Sequence, residues 1–279
     1  MSIFNNLLRN INANEYGRID MLRTSDKEHW ERLWKKRDVK ELYDNSGRIL
    51  EAVRRIWGDD LSGKRILEVG AGSARDSFDL AALGAKVYTL DYAPASLAII
   101  QKQNEKLEHK TIPIGGDAFA LPFPDNTFDL VFHQGLLEHF REEEGIIAEN
   151  ARVTKPGCYA IFDVPQRWHI YTVIKHVLIA FNKWFAGWEK EFSLGQVEKK
   201  IRKYGFEPVD FYAEWMYPSL LYRMTREALW KIGIHLPLIP FKIPGLHQLR
   251  RAIRNKLKYT RLFAYTGLSV GVIGRKMED

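Results

Sequence analysis

The apolar run RILEVG (Arg65–Gly70) continues directly into Ala71, Gly72, Ser73 and Ala74. Glycines at 70 and 72 let the backbone turn sharply and approach a ligand closely. The free N–H groups that open a following helix then suit a carboxylate or a phosphate. About 20 residues further on, Asp91 closes a second apolar run, AKVYTL (Ala85–Leu90). A carboxylate at that distance from a glycine turn can take both hydroxyls of a ribose. Each feature also has a plainer reading: G-x-G occurs in ordinary turns, and Asp91 precedes a helix start at Pro94 that it could cap. Together they predict a nucleoside-bearing ligand. Three histidines, His133, His139 and His169, follow later apolar runs. An imidazole titrates near neutral pH, so each is a candidate general base and equally a structural ring. Cys158 lies inside the run CYAIFDV and reads as a small hydrophobe. No cluster of residues has metal-ligand spacing, so no metal is expected.

The elements that must position these residues alternate. Short apolar runs are predicted as strands at Arg65–Gly70, Ala85–Leu90, Lys110–Gly115, Phe128–His133, Cys158–Val164, Phe206–Tyr212 and Leu268–Gly274. Helical stretches lie between them: Arg75–Leu83 before Gly84, Pro94 to about Leu107, Glu142–Val153, and Ser193–Tyr204 before Gly205. Residues 24–57 also read as helical. Strands alternating with helices predict an α/β fold with a parallel sheet and helices on both faces. Ligands of such sheets bind beyond the carboxyl ends of the strands, where Gly70, Asp91 and His133 fall.

The chain has 279 residues, 46% hydrophobic and 28% charged, which excludes a disordered tail or a fibre. A single cysteine excludes a disulfide framework and any cysteine-based zinc site. The first residues lack a cationic segment followed by an apolar core, and no apolar run reaches the ~20 residues of a membrane span. A cytoplasmic protein is therefore expected. The formal charge is +7, and its source is local. Between Met216 and Gly267 stand ten cations (Arg223, Arg226, Lys231, Lys242, Arg250, Arg251, Arg254, Lys256, Lys258, Arg261) against one acid, Glu227.

The stretch ILEVGAGSARDS (Ile66–Ser77) resembles the first motif of class I S-adenosylmethionine-dependent methyltransferases. VYTLDYAPASL (Val87–Leu97) is similar to their acidic loop, GGDAFALPFPDNTFDLVFHQGLLEHF (Gly115–Phe140) to their third- and fourth-strand region, and ARVTKPGCYAIFDVPQ (Ala151–Gln166) to their fifth-strand motif. The branch with quinone-biosynthesis and other small-molecule methyltransferases (the type 11 kind) is the nearest in pattern. The resemblance covers about residues 45–165, Ser193–Trp215 and the final strand. It implies a Rossmann-like, doubly wound, mainly parallel seven-stranded sheet with an antiparallel last strand, plus helical insertions, and S-adenosyl-L-methionine as cofactor. On this family pattern Glu68, Gly70, Ala71 and Gly72 lie against the cofactor's methionine part. Asp91 binds the ribose, Tyr92 packs on the adenine, and Asp117 and Ala118 meet the adenine edge. His133 and Gln134 line the methyl-transfer end; from their positions after the fourth strand, His139 and His133 are the candidate catalytic residues. The third glycine of the pattern is replaced by Ala74, an added methyl facing the helix. Arg75 stands where a nicotinamide-binding G-x-G-x-x-G would need glycine. The His133-Gln134-Gly135-Leu136 run lacks the Asn/Asp-Pro-Pro-aromatic pattern of enzymes that methylate amino groups of adenine or glutamine.

Read this way, residues 1–57 form a helical extension, and 58–279 a methyltransferase domain carrying insertions at 165–192 and 216–267. In the first insertion Ile170, Val173, Ile174, Val177, Leu178, Phe181, Trp184 and Phe185 recur at helical spacing, either as a roof over the acceptor site or as a helix packed on the core. In the second, Pro237, Pro240 and Pro244 break the apolar run HLPLIPFKIPGL, and Arg250–Arg261 reads as a cationic helix. Basic, aromatic and aliphatic residues together suit an anionic membrane surface. The expected partner is a small or lipid-linked acceptor, O- or C-methylated, with nucleic acid disfavoured. The competing readings are a non-catalytic cofactor-binding or membrane-adaptor protein and an RNA methyltransferase.

Overall fold

A computed structural model describes residues 27–36, 47–182, 184, 186, 188–215, 218–230, 232–237, 239–241 and 245–278. Helices α1 (Lys27–Lys36) and α2 (Arg48–Trp57) precede the sheet. Then follow β1 (Arg65–Val69), α3 (Arg75–Ala82), β2 (Lys86–Asp91), α4 (Pro94–Asn104), β3 (Ile112–Gly115) and β4 (Phe128–Gln134). A 3₁₀ turn at Leu137–His139 leads to α5 (Glu144–Val153) and β5 (Thr154–Pro165). The remainder is α6 (Ile170–Ala180), α7 (Leu194–Arg202), β6 (Phe206–Glu214), α8 (Leu220–Trp230), α9 (Leu246–Leu257), α10 (Arg261–Ala264) and β7 (Ser269–Lys276).

The seven strands form one sheet in the order β3-β2-β1-β4-β5-β7-β6. β1 runs parallel to β2 and β4, β2 to β3, and β4 to β5. β7 inserts between β5 and β6 and is antiparallel to both. The sheet therefore has the expected mixed, doubly wound topology. The strand order reverses between β1 and β4, and there the crevice opens for a ligand.

Both sheet faces are apolar and both are covered. Leu67, Val69, Val131, Phe162 and Phe206 face α5 and α7 through Ile146, Ile147, Val153, Leu194, Val197 and Ile201, all buried. Ile66, Leu130, Phe132, Ile161 and Ile273 face α2 and α3 through Ile49, Ala52, Val53, Leu80 and Ala81. This two-sided burial explains why the strands read as continuous apolar runs rather than alternating ones. Local signals set the helix starts. Pro94 stands in the first turn of α4, and Ser193 forms a reciprocal capping box with Gln196 at α7. At Gly271 of β7 the Tyr212 ring of β6 lies so close that a Cβ would stand 2.1 Å from it.

The elements follow the pattern to within a few residues, with three differences. β5 begins at Thr154, ahead of the Pro156-Gly157 pair. The cationic helix is α9, starting at Leu246 and ending before Arg261. The third difference is the apolar stripe of the first insertion. It belongs to α6, and the helix splits it: Ile170, Val173, Val177 and Phe181 point outward and are 65%, 61%, 51% and 71% exposed, Ile174, Leu178 and Trp184 are half-buried, and Phe185 lies outside the described residues. The residues α6 buries are Lys175 and Ile179. In the second insertion Phe241 is 90% exposed, and Leu221, Trp230, Ile232 and Ile239 are exposed too. Tyr217, Lys231, Leu238, Lys242, Ile243 and Pro244, like residues 1–26 and 37–46 of the extension, lie outside the described residues. Among the described residues no helix is long and apolar enough to cross a membrane.

Candidate functional site

The carboxyl ends of β1, β2, β4 and β5 converge on one crevice. After β1 the chain turns through Gly70 and Gly72, at φ +69° and +54°, which glycine adopts without steric cost. The turn is held from β2. Asp91 accepts a hydrogen bond from the Gly72 N–H through Oδ2 (2.8 Å) and from the Ala93 N–H through Oδ1 (2.9 Å). Ser96 donates to the Gly72 carbonyl at 2.7 Å. One carboxylate thus ties the glycine loop to the start of α4. Burial pushes the Asp91 carboxyl up, while the Ala93 and Gly72 N–H groups draw it down. Glu68 at the end of β1 is buried and accepts from Ser77 at 2.5 Å. Burial, and then the neighbouring Asp76, raise its carboxyl well above the usual range.

The loop is closely walled. A Cβ on Gly72 would meet Trp34 Cζ2 of α1 at 2.5 Å, and one on Gly70 would meet the Leu136 side chain at 2.8 Å. Any side chain at either position would displace the wall. Ala71 is buried and Tyr92 half-buried. Ala74, in place of the third glycine, adopts φ +54°. Its methyl joins Ala71, Phe78 and Ile100 in a small apolar cluster, so it meets the helix and not the pocket. α1 reaches the same rim by a second contact, where Glu31 accepts from the Ala95 N–H at 2.8 Å. Asp117 is exposed and turns its loop by accepting from the Phe119 N–H at 2.9 Å, with Ala118 buried beside it.

Behind the glycine loop lies a polar chain. Gln134, last residue of β4, donates to Asp76 of α3 at 2.9 Å and accepts from Arg48 of α2 at 3.3 Å. Arg48 grips Asp163 of β5 with two bonds, 2.7 and 3.2 Å. The buried Tyr212 hydroxyl donates to the same Asp163 at 2.7 Å. Partners of Arg48 lie 86 and 115 residues away. No local spacing marks such pairs, so Arg48, Asp76, Asp163 and Tyr212 escape a reading of the sequence.

The two candidate histidines have different settings. His133 is fully buried on the α5–α7 face of the sheet, its ring edge-on to Phe162 at 5.4 Å. Neither of its ring nitrogens has a hydrogen-bond partner among the described residues. Burial alone takes its pKa down to about 3. The expectation that it lines the methyl-transfer end meets a ring enclosed in the core. His139, in the 3₁₀ turn, sits edge-on to Trp30 of α1 at 4.7 Å, and its Nδ1 lies 4.0 Å from Glu189. Burial, only partly opposed by Glu189, brings it down to about 4. Its neighbour Glu138 is buried, and burial and then Glu189 raise its carboxyl well above the usual range. Lys175 of α6 closes this cluster with bonds of 2.7 Å to both Glu189 and Glu191. Burial opposes its charge, yet the two carboxylates hold its pKa above the ordinary lysine value. His169 instead caps α6, its Nδ1 accepting from the Tyr171 N–H at 3.1 Å. Cys158 is half-buried on β5, its thiol pushed up by burial and by Asp129.

The crevice therefore offers a glycine loop, a carboxylate at the second strand and a roofed polar corner, the arrangement of a class I methyltransferase. Residues 67–162 match the methyltransferase domain family Methyltransf_11. A demethylmenaquinone methyltransferase of Streptomyces avermitilis is 33% identical over 129 residues, covering 43% of this chain and 54% of that one. The chain spans about half the length of such curated relatives. Two solved structures share the fold. A Galdieria sulphuraria protein provisionally named a sarcosine dimethylglycine methyltransferase covers 90% of this chain and 98% of its own at 18% identity, TM-score 0.59. The phosphoethanolamine N-methyltransferase 2 of Haemonchus contortus, solved with S-adenosyl-L-methionine, covers 83% of this chain and 52% of its own at 20% identity, TM-score 0.55.

Proposed function

We propose that this protein binds S-adenosyl-L-methionine at the glycine loop and methylates a small, apolar, quinol-like or lipid-linked acceptor on carbon or oxygen. The observation that carries the cofactor reading is Asp91. Its two oxygens anchor Gly72 and Ala93 at the end of the second strand, and a carboxylate there, with room for about four hydrogen bonds, can also take a ribose diol. In this reading Glu68, Gly70, Ala71 and Gly72 hold the methionine part, and Tyr92, Asp117 and Ala118 the adenine. Gln134, fixed by Asp76 and Arg48, borders the reacting end. The cofactor, when bound, supplies a methyl on a sulfonium with a neutral thioether as leaving group.

What the chain itself must do is orient the acceptor and keep water out. His139 is the catalytic candidate this reading keeps in contact with the acceptor. A ring whose pKa lies near 4 is neutral at pH 7 and accepts a hydrogen bond, but it is a weak base. That suits an acceptor whose own acidity or ring electrons supply the nucleophile, such as a phenol or hydroquinone, better than an amine or alkyl alcohol. His133, held in the core, serves in this reading as a packing ring. The demethylmenaquinone methyltransferase relatives support the quinol-like class. The division into an extension (1–57) and a domain with two insertions belongs to the same proposal, with 216–267 meeting an anionic membrane surface.

The test is direct. The purified protein is incubated with methyl-labelled cofactor and a short-chain naphthohydroquinone, and products are identified by mass spectrometry, alongside metabolites that co-purify. A methylated quinol and bound cofactor are expected. Cofactor binding with no transfer to any quinol would remove the acceptor class, and no cofactor binding would remove the whole reading.

A further inference from the structure

An α-helix at a protein surface ordinarily turns its apolar side inward. α6 does the reverse. Ile170, Val173, Val177 and Phe181 occupy one face at i, i+3, i+7 and i+11, and all four are more than half exposed. The inward face carries the helix's one cation, Lys175, locked between Glu189 and Glu191. Two carboxylates fix that orientation, because turning the helix over would strand three buried charges. The outward stripe is therefore built in, and it needs a covering in water.

The composition around the stripe identifies the covering. Between Pro165 and Trp188 there is no acidic residue, while Arg167, Lys175 and Lys183 are cationic. Trp168 and Tyr171 stand at one end of the helix; Trp184 and Trp188, past the other end, are half-buried, Trp184 edge-on to Tyr171 at 5.8 Å and Trp188 under the Arg141 guanidinium. Trp168 is exposed. An apolar face without acids, with the exposed Trp168 indole at its start, is complementary to the boundary between lipid headgroups and acyl chains. At 11 residues and ~1.5 Å per residue, the helix is far too short to span a bilayer, so it must lie along one.

We propose that α6 lies on a lipid bilayer with Ile170, Val173, Val177 and Phe181 immersed, so that the acceptor enters the crevice from the membrane beneath this helix. The helix that meets lipid on its outer side touches Glu189 on its inner side, and Glu189 faces His139 at 4.0 Å. The membrane and the polar corner are one helix diameter apart, about 10 Å. This rests on the apolar-acceptor reading above and adds a place of contact to it, distinct from the basic segment 216–267.

The test uses co-sedimentation of the full chain with vesicles of phosphatidylcholine alone and of phosphatidylcholine with 30% phosphatidylglycerol, the lipid fraction being a choice of about that size. Wild type is compared with Val173→Ser/Val177→Ser/Phe181→Ser and with Arg250→Gln/Arg251→Gln/Lys256→Gln. Wild type should bind both vesicles, the anionic ones better. The α6 variant should lose about tenfold in partitioning to both, since the lost part is apolar and insensitive to salt. The α9 variant should lose only the extra binding to the anionic vesicles and partition to both kinds equally. Cofactor-product affinity by calorimetry and circular dichroism should be unchanged in both variants. Equal partitioning of wild type and the α6 variant, or no binding of wild type to either vesicle, overturns the proposal. So does a concentration-dependent dimer in sedimentation equilibrium that the α6 variant abolishes, which would make the stripe a self-interface. Transfer to the soluble hydroquinone separates the two claims. Its failure with vesicle binding intact sinks the acceptor reading, and its success without vesicle binding sinks the docking surface.

Discussion

Asp91 shapes the glycine loop through Gly72, and in the proposed reading the same carboxylate also holds a ribose. Replacing it with alanine should weaken binding of S-adenosylmethionine and of its demethylated product ten- to hundredfold, about 1.5–3 kcal/mol. Titration calorimetry that finds unchanged affinity removes the ribose role. At the other end, His139→Ala should slow methyl transfer by about one to two orders of magnitude while leaving cofactor affinity as in wild type. His133→Leu should leave the transfer rate with a soluble acceptor close to wild type. The opposite ranking of the two variants would return His133 to the reacting end. These residue identities were legible because they follow strands at fixed spacing. Arg48, Asp163 and Tyr212 were not, because each is defined by a partner far along the chain.

At the scale of elements, the α/β alternation was legible because every central strand is buried on both faces and reads as an unbroken apolar run. The outward half of the α6 stripe was not legible for a physical reason: helical periodicity reports which residues share a face, not which way that face points. The direction is set by Glu189 and Glu191, which lie in a loop with no periodicity of its own. Lys175→Met should therefore destabilise the fold by about 3–5 kcal/mol, because it leaves two buried carboxylates without their cation. Urea unfolding measures this, and adding Glu189→Gln and Glu191→Gln should restore part of the loss. If Lys175→Met alone unfolds at the wild-type urea concentration, the clamp does not set the orientation of α6. Arg254 would be a poor choice for testing the charge of α9, since it pairs with Glu214 at 3.3 Å.

For the whole molecule, the buried imidazoles make stability depend on pH. The folded His133 titrates at about 3, whereas an unfolded histidine titrates near 6.5. Between those values the unfolded chain holds a proton that the folded chain does not. Stability is then fully present above pH ~6.5 and is lost as the pH falls toward 3, by up to about 1.4 kcal/mol per unit for this ring. His139 adds to the same slope down to about 4. The raised carboxyls of Glu68 and Glu138 act in the opposite sense, losing their contribution as the pH rises above the ordinary glutamate range. The comparison of wild type with His133→Leu isolates the ring. The variant should show a shallower fall in denaturation midpoint between pH 6.5 and 4.5, and parallel curves would show that His133 is protonated without penalty in the fold.

The place of β7 in the sheet has a consequence for the order of assembly. Among the described residues β6 joins the sheet only through β7, and β5 also presents its outer edge to β7. β7 is the last of the seven strands to leave the ribosome. Until it emerges, β5 and β6 hold open edges of unpaired N–H and C=O groups, and Tyr212 has no Gly271 beside it to settle its hydroxyl on Asp163. A nascent chain at that stage is a template for pairing with its neighbours. The final strand therefore works as a latch: it closes two sheet edges at once and, through one tyrosine, sets the polar chain that runs back to Arg48 beneath the crevice.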